Sequence, residues 1–513
     1  MSFSSSTKLV PRSSKAVSIL IVISSTFMAT TQGFDGSMMN ALNILPSYTD
    51  YFSLNTTTLA LNTSAVWLGG CLAGMFFGLI TDYLGRKNAM LIAALITIFA
   101  AILQAASQNV PMFVISRILI GLGMNGSATA GPVYIAETLK PQWRGWGLGL
   151  FFDFYYIGGL ISAGVTYGTA RMQSTWAWRL PSALQGLFSV LCIVVLPFIP
   201  ESPRWLIHKG RNEEAIEAIA LACADGNKDD PIVQVQYREI IDTLAWEKEQ
   251  GETLSLLQTV KTPGARKRMM LSLSVAVFTM LSGNNIISYY LGTMLTNAGI
   301  ADSTTQLEIN IILNAWCLVI CLFGTSLLDI LGRKSLAAWS TGLLTIFIFM
   351  IGGLTAAYGT STNTAGIYGT VASIFLFQGS YSFGWTPLTM VYPPEVLNFS
   401  IRSNGMAVYA FIVSGVGLLV TFAFPYALEA IGWKTYMING AWDVLELAFV
   451  LFFWVETKGK TLEEIDELFD GQKHSDAPDL EAIMKGKAGV DEFVVDGVEP
   501  VTQVPVEVSK KAD

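Results

Sequence analysis

Histidine is almost missing from this chain: His208 and His474 are the two present in 513 residues. Both lie outside the apolar runs, so neither a Ser/His/Asp nucleophile set nor a His/Cys metal constellation can be assembled, and enzymatic chemistry is not expected. Cysteine is sparse as well. Cys71, Cys192, Cys223, Cys317 and Cys321 are scattered, four of them inside apolar runs, which reads as small buried hydrophobes and not as a disulfide framework. No G-x-x-x-x-G-K-[ST] phosphate loop occurs, so ATP-driven work lacks support and no cofactor is expected. Charge is the largest deficit, at 14% of residues against about 25% in soluble domains. There is no basic patch or aromatic-basic platform, so nucleic acid is not an expected partner.

What fills the space is apolar: 52% of residues, with a mean hydropathy of +0.49. Twelve runs are long enough for helices that cross a roughly 30 Å hydrocarbon core, which takes about 20 residues each. They fall near 16–45, 59–81, 89–107, 112–135, 146–168 and 181–199, then near 269–296, 308–328, 336–357, 368–391, 405–428 and 437–455. The first run is too long for a signal-peptide core and is followed by other spans, so it reads as a membrane helix. The expected fold is an all-α polytopic membrane protein of two six-helix bundles in a lipid bilayer. The expected segments are a tail 1–15, a bundle 16–200, a linker 201–267 with short amphipathic helices, a bundle 268–456, and a tail 457–513 that is mostly disordered. With the N-terminus inside, the inner loops and N-terminus carry 20 Lys/Arg and the outer loops three, which puts both termini on the cytoplasmic face. Asn55-Thr56-Thr57 and Asn62-Thr63-Ser64 are glycosylation sequons in or beside the first outer loop.

The halves echo one another. Asp82-Tyr83-Leu84-Gly85-Arg86-Lys87 returns 247 residues later as Asp329-Ile330-Leu331-Gly332-Arg333-Lys334. Glu137 and Arg144, seven apart, return as Glu395 and Arg402. Pro200-Glu201-Ser202 closes the first half, and Val455-Glu456-Thr457 closes the second. Repeated halves in a membrane protein point to alternating access around a central site.

The repeated D-x-x-G-R-K turns resemble the signature of the major facilitator superfamily. Pro200-Glu201-Ser202-Pro203-Arg204-Trp205-Leu206, Glu456-Thr457-Lys458-Gly459-Lys460-Thr461, Arg117-x3-Gly121-x-Gly123, and Tyr392-Pro393-Pro394-Glu395 resemble motifs of its sugar porters, with a flavour of fungal lactose-permease-like and hexose transporters. The resemblance implies a substrate cavity between two bundles, and a cytoplasmic gate of Asp82, Arg86, Glu137, Arg144, Glu201 and Arg204 mirrored by Asp329, Arg333, Glu395, Arg402 and Glu456. Pairing of these charges across the halves would close the inside.

Asp35 is a carboxylate within the first span, and an ionisable group there is functional by default. The resemblance pairs it with Arg117 for proton coupling; a structural pair in a facilitator is the alternative. In span seven, Asn285 and Tyr289 are four apart and share a helix face. The expected substrate wall is Gly283, Asn284, Asn285, Tyr289 and Tyr290, with Trp385 and Asn314. Departures from the sugar-porter pattern are Thr279 and Met280 for two glutamines, Met390 for a tryptophan, Ile412-Val413-Ser414 without the asparagine of span eleven, and no glutamine around 162–165. These losses point to a less polar or differently shaped substrate. Asp153, Asp443 and Glu446 read as groups used in helix packing.

The expected function is proton-coupled uptake of a carbohydrate or related small solute by a monomer in the plasma membrane. Export of a metabolite or organic acid is the first alternative, and a non-transporting sugar sensor the second.

Overall fold

The computed structural model describes residues 9–249, 263–397, 399–458 and 469, and among these there is no strand. Residues Met1–Lys458 form one compact unit; of the second, Gly459–Asp513, only Phe469 is described, so the expected disorder of the tail lies outside the described residues. Twelve long helices dominate the first unit. They are α1 Ser14–Ile44, α2 Thr56–Leu84, α3 Arg86–Ala105, α4 Val110–Thr138, α5 Pro141–Thr169 and α6 Trp176–Phe198. The second set is α7 Pro263–Asn297, α8 Ser303–Leu331, α9 Arg333–Tyr358, α10 Thr364–Val396, α11 Phe399–Ile431 and α12 Lys434–Phe453. Ten are long and apolar enough to span a membrane; α5 and α10 have the length but are richer in glycine, serine and tyrosine. Three short helices (Pro203–His208, Asn212–Cys223 and Pro231–Glu249) occupy the linker.

Each boundary has a local cause. Asn55, Asn109, Asp302 and Asn363 sit at helix starts, and their side chains accept from the free backbone N–H groups of the first turns of α2, α4, α8 and α10. Helix α7 breaks at Ser282–Gly283, where Gly283 is left-handed (φ 83°), and kinks again at Tyr290 (φ −129°, ψ 28°). Large apolar side chains point outward around the bundle, Phe452 and Leu79 among them at 81% and 71% exposed. In water these would be a liability; in lipid they are the solvent-facing surface.

Within the first six helices α1 packs on α5, and α2 and α3 pack on α4; in the second six α9 packs on α10 and α12, and α8 on α10. The two sets meet where α2 packs on α11, α5 on α8, and α1 on the second part of α7. Small residues allow the tightest approaches: a Cβ on Gly33 would strike the Tyr155 carbonyl, and one on Gly158 the Thr30 carbonyl.

Candidate functional site: a polar cavity between two helix sets

A cavity of about 260 Å³ lies where the two sets meet, near the lower bound of roughly 300–1,000 Å³ usual for ligand pockets. Helices α1, α2, α4 and α5 line it from one side, and α7, α8, α10 and α11 from the other. Its wall is rich in amides. Gln32, Asn40 and Asn125 come from the first set, and Asn284, Asn285, Asn310, Asn314 and Gln378 from the second. An amide both donates and accepts, so such a wall matches hydroxyl groups. Tyr155, Tyr156, Tyr289 and Tyr381 add ring faces and hydroxyls.

One end of the cavity is closed by contacts between the sets. The kink at Tyr290 frees two backbone groups of α7, and α1 takes both: the Asn43 amide donates to the Tyr289 carbonyl (3.0 Å), and Asn40 accepts from the Leu291 N–H (3.2 Å). Further out on the same side Tyr426 donates to Thr57 (2.9 Å), Tyr167 to Glu308 (2.9 Å), and Thr56 to Glu429.

Asp35 lines the same cavity and is almost wholly buried, as is Arg117. They form a two-pronged ion pair, with Arg117 Nη1 on Asp35 Oδ1 and Nη2 on Oδ2 at 3.0 Å. Gln185 from α6 donates a third bond to Asp35 (2.5 Å), and Arg117 Nε reaches the Asn62 carbonyl (3.3 Å). Burying two charges is unfavourable unless both are paired and hydrogen-bonded, and here both are.

At the opposite end the repeated turns have matching geometry. Gly85 and Gly332 hold φ of 96° and 92°. Directly beyond each, a carboxylate caps the next helix: Glu201 accepts from the Arg86 and Lys87 N–H groups (3.1 and 3.2 Å), and Glu456 from those of Arg333 and Lys334 (2.8 and 3.1 Å). A Cβ at either glycine would meet that carboxylate at 2.6 Å. The arginine of each turn then pairs with the glutamate of the neighbouring helix, Arg86 with Glu137 (2.9 Å) and Arg333 with Glu395 (2.8 Å). Burial pushes the Glu201 carboxyl above its ordinary range, and the N–H groups of Ser202 and Lys87 with the Lys87 and Arg86 charges pull it back.

A profile of the sugar (and other) transporter family matches residues 20–469. The chain belongs to that family. It is a transporter and not an enzyme. The transporter is 29% identical over 462 residues to a high-affinity glucose transporter of Kluyveromyces lactis (85% of this chain, 82% of that one). It is 28% identical to the MFS-type transporter criB of Aspergillus cristatus (85% and 90%), and 28% identical to the major myo-inositol transporter IolT of Bacillus subtilis (89% and 95%). In fold it is similar to the proton:xylose symporter XylE bound to 6-bromo-6-deoxy-D-glucose (TM-score 0.74, 22% identity, covering 89% of this chain and 99% of that one). It is also similar to a partially occluded inward-open form of XylE from E. coli (TM-score 0.71, 20% identity, 86% and 100%).

The transporter brings Asn284, Asn285, Tyr289 and Asn314 of the expected wall to the cavity, together with Asp35 of the expected coupling pair. Three expected wall residues lie elsewhere. Tyr290 turns away at the kink and donates to the Thr421 carbonyl (2.6 Å); Trp385 is fully buried behind the wall, with Nε1 on Thr341 (3.1 Å); Gly283 marks the helix break. The wall also bears on the amides missing from the sugar-porter pattern. Met280, Met390 and Val413 do line the cavity, but Gln32, Asn125, Asn310 and Gln378 restore polar groups from positions that the sequence did not single out. A usable signal existed: each is an amide inside an apolar run, and Asn310 sits one turn from Asn314.

The Arg86–Glu137 and Arg333–Glu395 pairs each stay within one set, and among the described side chains no ion pair joins the charged turns of the two halves. Asp82 is mostly exposed and pairs with Arg86 at 3.3 Å. Arg204 lies in the helix Pro203–His208, while the side chains of Arg144, Asp329 and Arg402 lie outside the described residues. Of the two sequons, Asn55 is exposed, but Asn62 is fully buried with its amide on the Tyr48 hydroxyl (2.9 Å), which leaves no room for a glycan. On α12, Asp443 and Glu446 are buried, taking bonds from Asn439 (3.2 Å) and Trp442 (2.5 Å) of their own helix.

Proposed function

We propose that the protein carries a neutral polyhydroxylated solute, a sugar or cyclitol, across the plasma membrane by alternating access, coupled to protons. The observation that carries this is the amide-rich wall contributed by both helix sets around one cavity. A solute bound there touches both halves, so its binding energy can bias their relative motion, which is what alternating access requires. The names of the relatives, glucose and myo-inositol transporters among them, agree with hydroxylated cargo. Asp35 with Arg117 is the coupling pair in this reading, closed here and parted elsewhere in the cycle. The charge bias of the loops supports cytoplasmic termini, so the end closed by Asn40 and Asn43 faces outward and the cavity is inward-facing.

Met280, Met390, Val413, Ile287 and Leu313 form an apolar strip on the second set, and they favour a second reading in which a less polar metabolite is exported. Counterflow in proteoliposomes separates the two. Labelled D-glucose, myo-inositol and D-xylose would exchange under the first reading, with exchange lost in Asn285→Ala. Exchange of apolar metabolites alone would carry the second and sink the first.

A further inference from the structure

Asp35 is not the only acid buried where the two helix sets meet. Asp153, on α5, is 3% exposed and faces α8. Its Oδ1 accepts from the Cys321 thiol and the Thr325 hydroxyl, both at 3.2 Å. An ionised carboxylate draws a hydroxyl donor to about 2.5–2.7 Å. The Thr325 hydroxyl at 3.2 Å lies well beyond that, and a thiol is a weak donor by nature, so the two are a poor replacement for water around a charge.

Among the described residues the surroundings supply no counter-charge; the side chain of Arg144, on α5 itself, lies outside them. From α8 the titratable groups nearby are Cys321 and Cys317, with the Asp329 side chain outside the described residues. Helix α1 contributes Asp35 and α4 contributes Arg117, and these two neutralise one another. The Arg179 guanidinium of α6 is spent on the Ala105 and Ser107 carbonyls at the other end. Helix α10 offers Ser382 and Thr386, both bonded to Tyr156. Among the described residues no cation lies within ion-pair distance of Asp153. Burying a carboxylate without a charged partner is costly, and the α5–α8 contact is what shuts this one away from water.

We propose that Asp153 is a second proton-binding site, which holds a proton while the α5–α8 contact is closed and releases it when the contact opens. On opening, water reaches the carboxyl; its O–H bond breaks, the electron pair stays on oxygen and the proton passes to water. Before reclosure one proton returns from the aqueous phase, so each opening binds and releases one proton. The inference rests on the alternating-access reading, but it needs no knowledge of the cargo. It also differs in kind from the Asp35 site, whose carboxylate is paired with Arg117 in this structure.

The test uses the full-length protein in phosphatidylcholine liposomes, with no cargo added. Infrared spectra recorded across pH 5–9 should show a protonated-carboxyl band near neutral pH that disappears in Asp153→Asn, with Asp443 and Glu446 unchanged. In parallel, N-ethylmaleimide labelling of Cys321 is read by mass spectrometry and normalised to a free thiol standard. Wild type should open more with rising pH, by up to about tenfold per pH unit for one titrating group, and Asp153→Asn should be flat. Should Asp153→Asn fail to fold, Thr325→Val serves. It removes a donor to the carboxylate, so the midpoint of the labelling profile must move to higher pH. Identical profiles in wild type and variant, or the band surviving in Asp153→Asn, would overturn the proposal. Failure to exchange sugars would instead sink the cargo assignment and leave both readouts intact.

Discussion

Replacing Arg117 with methionine would strip Asp35 of both prongs of its ion pair and leave it with the Gln185 amide alone. Both partners are buried to within 2% of side-chain area, so the orphaned carboxylate has no route to water. Removing one member of such a pair costs about 3–5 kcal/mol. With roughly 2.1 cal/mol/K of unfolding entropy per residue over about 450 ordered residues, the apparent melting midpoint falls by some 3–5 °C. The double variant Asp35→Asn/Arg117→Met removes the charges together. It leaves an amide beside Gln185 and one unmet carbonyl, at Asn62, worth roughly 1 kcal/mol. The double variant should therefore melt above Arg117→Met, within about 1–2 °C of wild type, while failing to couple protons. Thermal unfolding in detergent of wild type, both single variants and the double variant provides the cycle. Additive losses, with the double variant melting below either single one, would refute the view that these groups form an isolated pair.

Other outcomes follow from the same geometry. Gly85→Ala and Gly332→Ala should each lose roughly 1–3 kcal/mol from the positive φ, and more from displacing Glu201 or Glu456; thermal unfolding and surface expression would read this. Because burial raises the Glu201 carboxyl, the folded state holds its proton more tightly than the unfolded chain does, so ionisation withdraws stability as pH climbs through and above the ordinary carboxylate range. Melting curves at pH 5 and pH 8 should then show Glu201→Gln gaining on wild type at the higher pH; a gap independent of pH would contradict this. Asn43→Ala leaves the Tyr289 carbonyl without its donor and loosens that end of the cavity, the outer one in the proposed orientation. A cysteine placed at Ser288 should then be modified several-fold faster by an impermeant thiol reagent added outside.

Much of the fold was legible because membrane helices obey a length rule. The expected runs near 59–81 and 336–357 became Thr56–Leu84 and Arg333–Tyr358, each extended by less than a turn at either end because the charged turn and the cap carry the helix past its apolar stretch. The repeated glycine-arginine turns were visible for the same reason: a left-handed glycine and a capping carboxylate leave a fixed pattern. Asp35 and Arg117 stood out as charges in apolar runs. The cavity wall was only half visible. Helical spacing placed Asn285 and Tyr289 together, but spacing assumes a regular helix, and the kink at Tyr290 turned that ring away. Gln32, Asn125, Asn310 and Gln378 carry no signal in the sugar-porter motifs, because they stand at positions where those motifs have no amide and only the folded wall brings them together. Burial of Asn62 depends on where Tyr48 lands, fourteen residues earlier, which no local pattern reveals.

The most direct test of the account is proton flux in proteoliposomes holding the full-length protein and an internal pH dye. Hexoses, pentoses and cyclitols would be presented one at a time, beside Asp35→Asn and Asn285→Ala. Internal acidification is expected with at least one hydroxylated solute, abolished by both variants while a protonophore control remains intact. Exchange of that solute with no proton movement would contradict coupling. Silence toward every hydroxylated solute, with movement of apolar metabolites, would contradict the central assignment.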